Sequence, residues 1–252
     1  MKVCIMEAFQ FEIEGNWGHF KKPETNNNPL SHDIITKTAL IGLVGAVLGI
    51  ERTEMKGLFP VLSKDLLYSV KVVKPVKKIS YGFISKEANN PTGKGSRKSF
   101  EFLKSPAFAI ILSLYEEYAE KQSQKLFFEF KKSIFEECAI YTPILGWHNC
   151  PANLYYKSSG KIVGKGSDEF ETNYFFSAKN HIPTPIDING AFRVGFDRLP
   201  TYQNDDFWNC PDKYTDMIYL DSGQTLKVNG EYYVYEGMDI SSHSIVEKCY
   251  MI

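Results

Sequence analysis

The chain has 252 residues, of which 43% are hydrophobic, 23% charged and 14% aromatic, and its formal net charge is −1. That is the composition of a soluble globular protein with one large core or two small ones, and five scattered cysteines without a CxxC pair exclude a disulfide framework and a zinc ribbon. The near-neutral total hides two opposed segments: residues 71–104 carry nine Lys and Arg against two acids, and residues 167–252 carry six against fourteen, so the first suits phosphate and the second suits water or a basic partner.

Val3–Ile13 reads as a strand, rich in β-branched and aromatic residues. It lacks the apolar core of a signal peptide, and the longest apolar run, Ala39–Ile50, is too short to span a bilayer; both point to a cytoplasmic protein. Gly15–Pro29 is a loop. A helix follows from Thr36, with Leu40, Leu43, Val44, Val47 and Leu48 on one face. Gly42, Gly45 and Gly49 within it imply that another backbone, or RNA, comes close. Leu66–Val76 is a second strand, Lys77–Lys98 a basic excursion, and Phe100–Leu114 a third strand. Tyr115–Cys138 is a second helix, and Ala139–Ile144 a fourth strand. The order β-α-β-β-α-β is that of a ferredoxin-like domain, shared with RNA recognition motifs.

After Pro151 short Tyr, Phe and Val runs predict a β-rich module, with a hairpin turn at Asn229-Gly230. Gly93-Lys-Gly-Ser96 and Gly164-Lys-Gly-Ser167 lack the spacing of a phosphate-binding loop and read as flexible turns. No GxSxG, HExxH or close His/Asp cluster offers a nucleophile or a metal site, so no metal or cofactor is expected.

Three stretches carry a resemblance. They are Phe11–Pro23 (FEIEGNWGHFKKP), Thr36–Ile50 (TKTALIGLVGAVLGI) and Tyr141–Asn153 (YTPILGWHNCPAN). In this order the chain resembles the CRISPR-associated protein 5 family, close to its type I-B members. The resemblance implies an α+β fold: a ferredoxin-like (RRM-like) domain over 1–150, a thumb β-hairpin at about 77–104, and a smaller β-rich module over 151–252. It also implies a non-catalytic subunit of a type I interference complex (Cascade) in antiviral defence. Such a subunit binds the repeat-derived 5′ handle of crRNA between the backbone and large subunits, meets target DNA only indirectly, and touches no membrane.

The residues for RNA contact fall into three groups. Thr36, Lys37 and Thr38 lie at a helix N-terminus, whose free N–H groups suit phosphate, with Lys21 and Lys22 one loop earlier. Arg97 and Lys98 lie on the returning edge of the finger, with Tyr81 and Phe83 on the outgoing edge to stack on bases. Trp147 and Asn149 follow the Gly146 turn, where Trp147 serves equally as a stacking residue or as core. Two alternatives stay open. Relatives of type I-C cleave repeat RNA without metal through a Tyr and a Lys-His pair; here the helix over 39–50 has no Tyr and no Lys-His pair occurs, which leaves loop-borne His19 for RNA contact or for catalysis. The other alternative is a protein-only adaptor.

Overall fold

The computed structural model describes residues 6–86, 92–115, 119–184, 192–202 and 213–252. In chain order its elements are β1 (Met6–Glu14), β2 (Trp17–Gly18), α1 (Lys37–Leu48), α2 (Arg52–Asp65), β3 (Leu66–Val72), β4 (Lys78–Ser85), β5 (Ser96–Lys104), β6 (Ala107–Leu114) and α3 (Lys121–Phe135). There follow β7 (Asn153–Thr172), β8 (Phe176–Ser177), β9 (Ile182–Pro183), β10 (Val194–Tyr202), β11 (Lys213–Leu220), β12 (Leu226–Asp239) and β13 (Ser244–Cys249). One seven-stranded antiparallel sheet runs β13-β12-β7-β1-β6-β3, with β9 on β12. Within it, β7-β1-β6-β3 has the ferredoxin-like order, so the fold is α+β as the sequence implies.

Alternate residues of β1 face opposite sides of the sheet. Phe9, Phe11 and Ile13 enter one core with α1, α2 and α3; Met6 and Ala8 enter a second with Tyr174, Tyr235 and Cys249. Phe130 of α3 meets Phe9 and Phe11 edge-on at 6.0 and 5.7 Å. The last residue, Ile252, exchanges two backbone hydrogen bonds with Tyr68 of β3 (3.0 and 3.1 Å), and Phe175 N–H donates to Val70. The open edge of β3 is therefore partly covered, which blunts edge-to-edge pairing.

Several local readings change. No element is expected from the sequence between the first helix and the second strand, where Arg52–Asp65 form α2, which buries Leu58, Phe59 and Leu62 despite Pro60 inside it. Gly45 of α1 faces the Met55 side chain of α2, Gly42 faces open space, and Gly49 is the left-handed C-cap at φ 70°; their nearest neighbours are side chains or open space, not another backbone. Phe100–Leu114 is two strands, because Ser105 takes φ 50° ahead of Pro106 and the chain leaves one sheet for another. Ala139–Ile144 is not a strand. Its Ile140 and Tyr141 N–H groups instead cap the carbonyls of Val47 and Ala46 at the end of α1 (3.0 and 2.9 Å).

The fourth strand of the ferredoxin-like set is β7, just past the divide expected at 150. It pairs with β1 on one side and β12 on the other. Asn229-Gly230 makes no turn: both lie inside β12, and Gly230 is needed because a Cβ there would strike the His181 ring. Gly164 and Gly166 likewise lie within β7. The predicted residues Val3–Ile5, the hairpin tip at 87–91, 116–118, Cys4 and Cys210 lie outside the described residues.

Glu137, just after α3, holds φ 53°, a left-handed conformation that costs a non-glycine residue about 1 kcal/mol. Glu137→Gly is expected to stabilise the fold by about that amount in urea unfolding, with m unchanged.

Candidate nucleic-acid interface

The excursion expected at about 77–104 is the β4–β5 hairpin. It leaves the main sheet at Val73–Lys77 and joins β2 in a separate three-stranded sheet, β2-β5-β4. Register fixes its two faces. Tyr81 pairs Phe100, Ile79 pairs Phe102 and Phe83 pairs Lys98, so these six share one face. Ile84 pairs Arg97 and Ser80 pairs Glu101 on the other. Arg97 and Lys98, adjacent in sequence, therefore point to opposite sides, and Lys98 alone joins the aromatic face.

That face is a cluster of rings. Trp147 lies parallel to Phe100 at 5.2 Å and 10°. Phe83 meets Phe100 edge-on at 5.5 Å, and Tyr81 meets Trp17 edge-on at 5.3 Å. Tyr81 and Phe83 are each 40% exposed, so each offers ring surface to solvent. Lys98 borders the cluster beside Phe83, and Lys104 borders it beside Trp17. His148 and Asn149 are exposed on the turn that follows Trp147. Gly146 makes that turn possible: it holds φ 82°, and a Cβ there would strike the His19 carbonyl.

His19 is buried beneath the cluster. Its Nδ1 donates to the Glu101 carbonyl at 2.7 Å, and its ring lies against Phe100, Phe102 and Trp147. Burial outweighs that bond and lowers its pKa below the ordinary histidine value. This is the setting of a neutral, positioned ring that carries the aromatic cluster.

A polar network clamps the hairpin to the rest of the chain. Lys78 of β4 pairs with Asp33 and, at 2.9 Å, with Glu101. Burial lowers the Lys78 pKa, but these two carboxylates more than reverse it and hold the ammonium charged. Asp33 accepts from Tyr219 Oη at 2.7 Å. Asp197 of β10 accepts from His32 Nδ1 at 2.9 Å and from the Asp33 N–H at 2.7 Å, and Lys22 stands 3.4 Å away. Burial pushes the Asp197 carboxyl up, and these partners more than offset it.

The helix N-terminus is different from the predicted cradle. Thr36 is buried and spends its hydroxyl on the Ala39 N–H (3.3 Å), and the Leu40 N–H goes to the Thr36 carbonyl (3.0 Å). Tyr68 fills the space beside Ile35 and Lys37. Lys37 itself is only 5% exposed, and burial brings its amine down to about 7. Thr38 Oγ is buried without a partner among the described residues. Burial, and the bonds already made by the Ala39 and Leu40 N–H groups, set Thr36, Lys37 and Thr38 apart from the aromatic face. Lys21, exposed, donates to Asn26 at 3.2 Å, and Lys22 belongs to the Asp197 network.

The structure thus brings Tyr81, Lys98, Trp147 and the ring of His19 together, with Asn149 on the adjoining turn. Sequence reading missed Trp17, Phe100, Phe102 and Lys104. The two-residue alternation Tyr81-x-Phe83 and Phe100-x-Phe102 would have found the two Phe, because equal alternation on paired strands puts rings on one face.

Comparison with known proteins agrees with this architecture. A family model described as CRISPR-associated protein (Cas_Cas5) matches residues 9–155. The chain superposes on the crystal structure of a CRISPR protein from Archaeoglobus fulgidus with TM-score 0.53 and 14% identity, covering 97% of this chain and 100% of that one. A chain of a CRISPR RNA-guided surveillance complex matches with TM-score 0.46 and 10% identity, over 93% of this chain and 92% of that one. No curated protein sequence matches. Among the described residues, no helix is long and apolar enough to cross a membrane.

Proposed function

Because the chain belongs to the CRISPR-associated protein (Cas_Cas5) family, we propose that it is a subunit of an RNA-guided antiviral effector complex and holds the repeat-derived 5′ end of crRNA on its β4–β5 hairpin. One observation carries this reading: two half-exposed rings, Tyr81 and Phe83, lie on one strand face, with Lys98 opposite Phe83 on the partner strand. Single-stranded RNA needs that combination, since rings stack on any base and flanking cations hold the backbone. The clamp from Lys78 to Asp33 and Glu101 keeps the face in a fixed position and so lowers the ordering cost of binding. The backbone and large subunits of the complex are the protein neighbours in this reading.

Binding rather than cleavage is favoured by the state of His19. A general base must reach the proton it removes; this ring is buried and already bonded to Glu101. Incubation of the chain with repeat RNA in chelator is expected to leave the RNA intact, and a discrete cut lost in His19→Ala overturns that expectation.

Filter-binding titrations of repeat RNA at several salt concentrations test the reading directly. Lys98→Glu is expected to weaken binding at low salt and to reduce the salt slope by about 1, so that the deficit shrinks as salt rises. Arg97→Glu, on the opposite face, is expected to change the slope much less. Equal slopes for wild type and Lys98→Glu remove Lys98 from the interface.

A further inference from the structure

We infer that a second surface of this chain, at the joined ends of α1, α3 and β7, docks a protein segment that carries an apolar side chain flanked by Lys or Arg. The inference rests on the reading above only in naming the partner as another protein of the same complex.

A cavity of about 370 Å³ opens there, with Val47, Ile134, Pro143 and Leu154 among its walls. Beside it, Ile140 is 68% exposed, Phe135 59% and Tyr155 40%. Exposed apolar side chains clustered at a concavity mark a surface that another molecule covers. The charges say which molecule. Glu137 lines the cavity, and no Lys or Arg is among its described walls. Glu14, bonded to the Tyr155 hydroxyl (3.4 Å), is already paired with Lys74, whereas Glu51 accepts from the neutral Tyr141 Oη at 2.6 Å. The carboxylates of Glu137 and Glu51 beside an apolar floor repel a phosphate backbone and attract basic flanks on a protein. RNA is therefore the wrong occupant, although it suits the hairpin.

Glu137 takes its left-handed φ of 53° as the residue that closes the C-terminus of α3: its N–H donates to the Ile134 carbonyl and the Cys138 N–H to the Ser133 carbonyl.

Cys138 supplies the probe, because it is exposed and lines the same cavity, whereas Cys150 and Cys249 are buried. The rate of its alkylation by iodoacetamide is read by peptide mass spectrometry in three samples: the free chain, the free chain with repeat RNA, and the effector complex purified through a tag on this chain. Cys138 is expected to react at equal rates in the first two and at least tenfold more slowly in the complex. Ile140→Asp and Glu137→Gly are each expected to restore at least half of the lost reactivity. Glu137→Gly does so in a chain that is more stable than wild type, which separates lost docking from failed folding. Equal reactivity in the complex and the free chain overturns the proposal. So does protection by RNA alone, and so does protection that grows with the concentration of the free chain, which would mark a homodimer face. The RNA content of the same complex is measured separately. A complex without crRNA sinks the RNA-binding reading and leaves the Cys138 result to stand or fall by itself.

Discussion

Lys37→Met is expected to raise the thermal midpoint at pH 7 by about 10 °C and to leave RNA affinity unchanged. The lysine is 5% exposed, and burial alone brings its amine from 10.5 to about 7. The folded pKa lies below the unfolded one, so between pH 7 and 10.5 the unfolded chain binds more protons. Wild-type stability must therefore rise with pH through that window, by about 1.4 kcal/mol per unit and roughly 5 kcal/mol in all. Methionine has a similar shape and no proton to lose, so its curve lacks this rise and the two converge above pH 10.5. A stability difference that stays flat from pH 7 to 10.5 contradicts the account. A large loss of RNA affinity in Lys37→Met returns the residue to the binding surface.

The second large effect is on RNA. Tyr81→Ala with Phe83→Ala is expected to weaken binding of repeat RNA by at least about thirtyfold, since each stacked base is worth about 1–3 kcal/mol. The loss must appear in the dissociation rate and persist at high salt, because stacking carries no counterion term. Both rings are 40% exposed, so their truncation leaves the core intact. Ile84→Ala is the matched control: it removes a 70% exposed side chain from the opposite face of the same strand and is expected to change nothing. Unchanged affinity in the double variant means that the rings serve a protein contact.

Much of the fold is legible in the sequence because period and length agree there. β1 alternates Phe9, Phe11 and Ile13, and α3 repeats Leu126, Phe130 and Ile134. α2 is equally periodic at Met55, Leu58, Phe59 and Leu62, and its packing in the core overrides the low helix propensity of Gly57 and Pro60. The strand expected at Ala139–Ile144 was lost to a tertiary effect: its N–H groups are worth more on the open end of α1. Asn229-Gly230 shows a turn signal silenced by sheet pairing on both sides, with β7 and with β9.

The site was half legible. Tyr81, Lys98 and Trp147 follow from ring and charge content. The separation of Arg97 from Lys98 needed the register. The burial of Lys37 needed the position of Tyr68, which is 31 residues away in sequence and beside it in space.

The most direct measurement is photocrosslinking of crRNA that carries 5-iodouridine at single positions of its 5′ end, with the attachment sites mapped by mass spectrometry. Crosslinks to Tyr81, Phe83 or Trp147 are the predicted result, because Tyr81 and Phe83 expose ring surface beside Lys98 and Trp147 stacks on Phe100 in the same cluster. Crosslinks confined to β12 and β13, or to the start of α1, would contradict it.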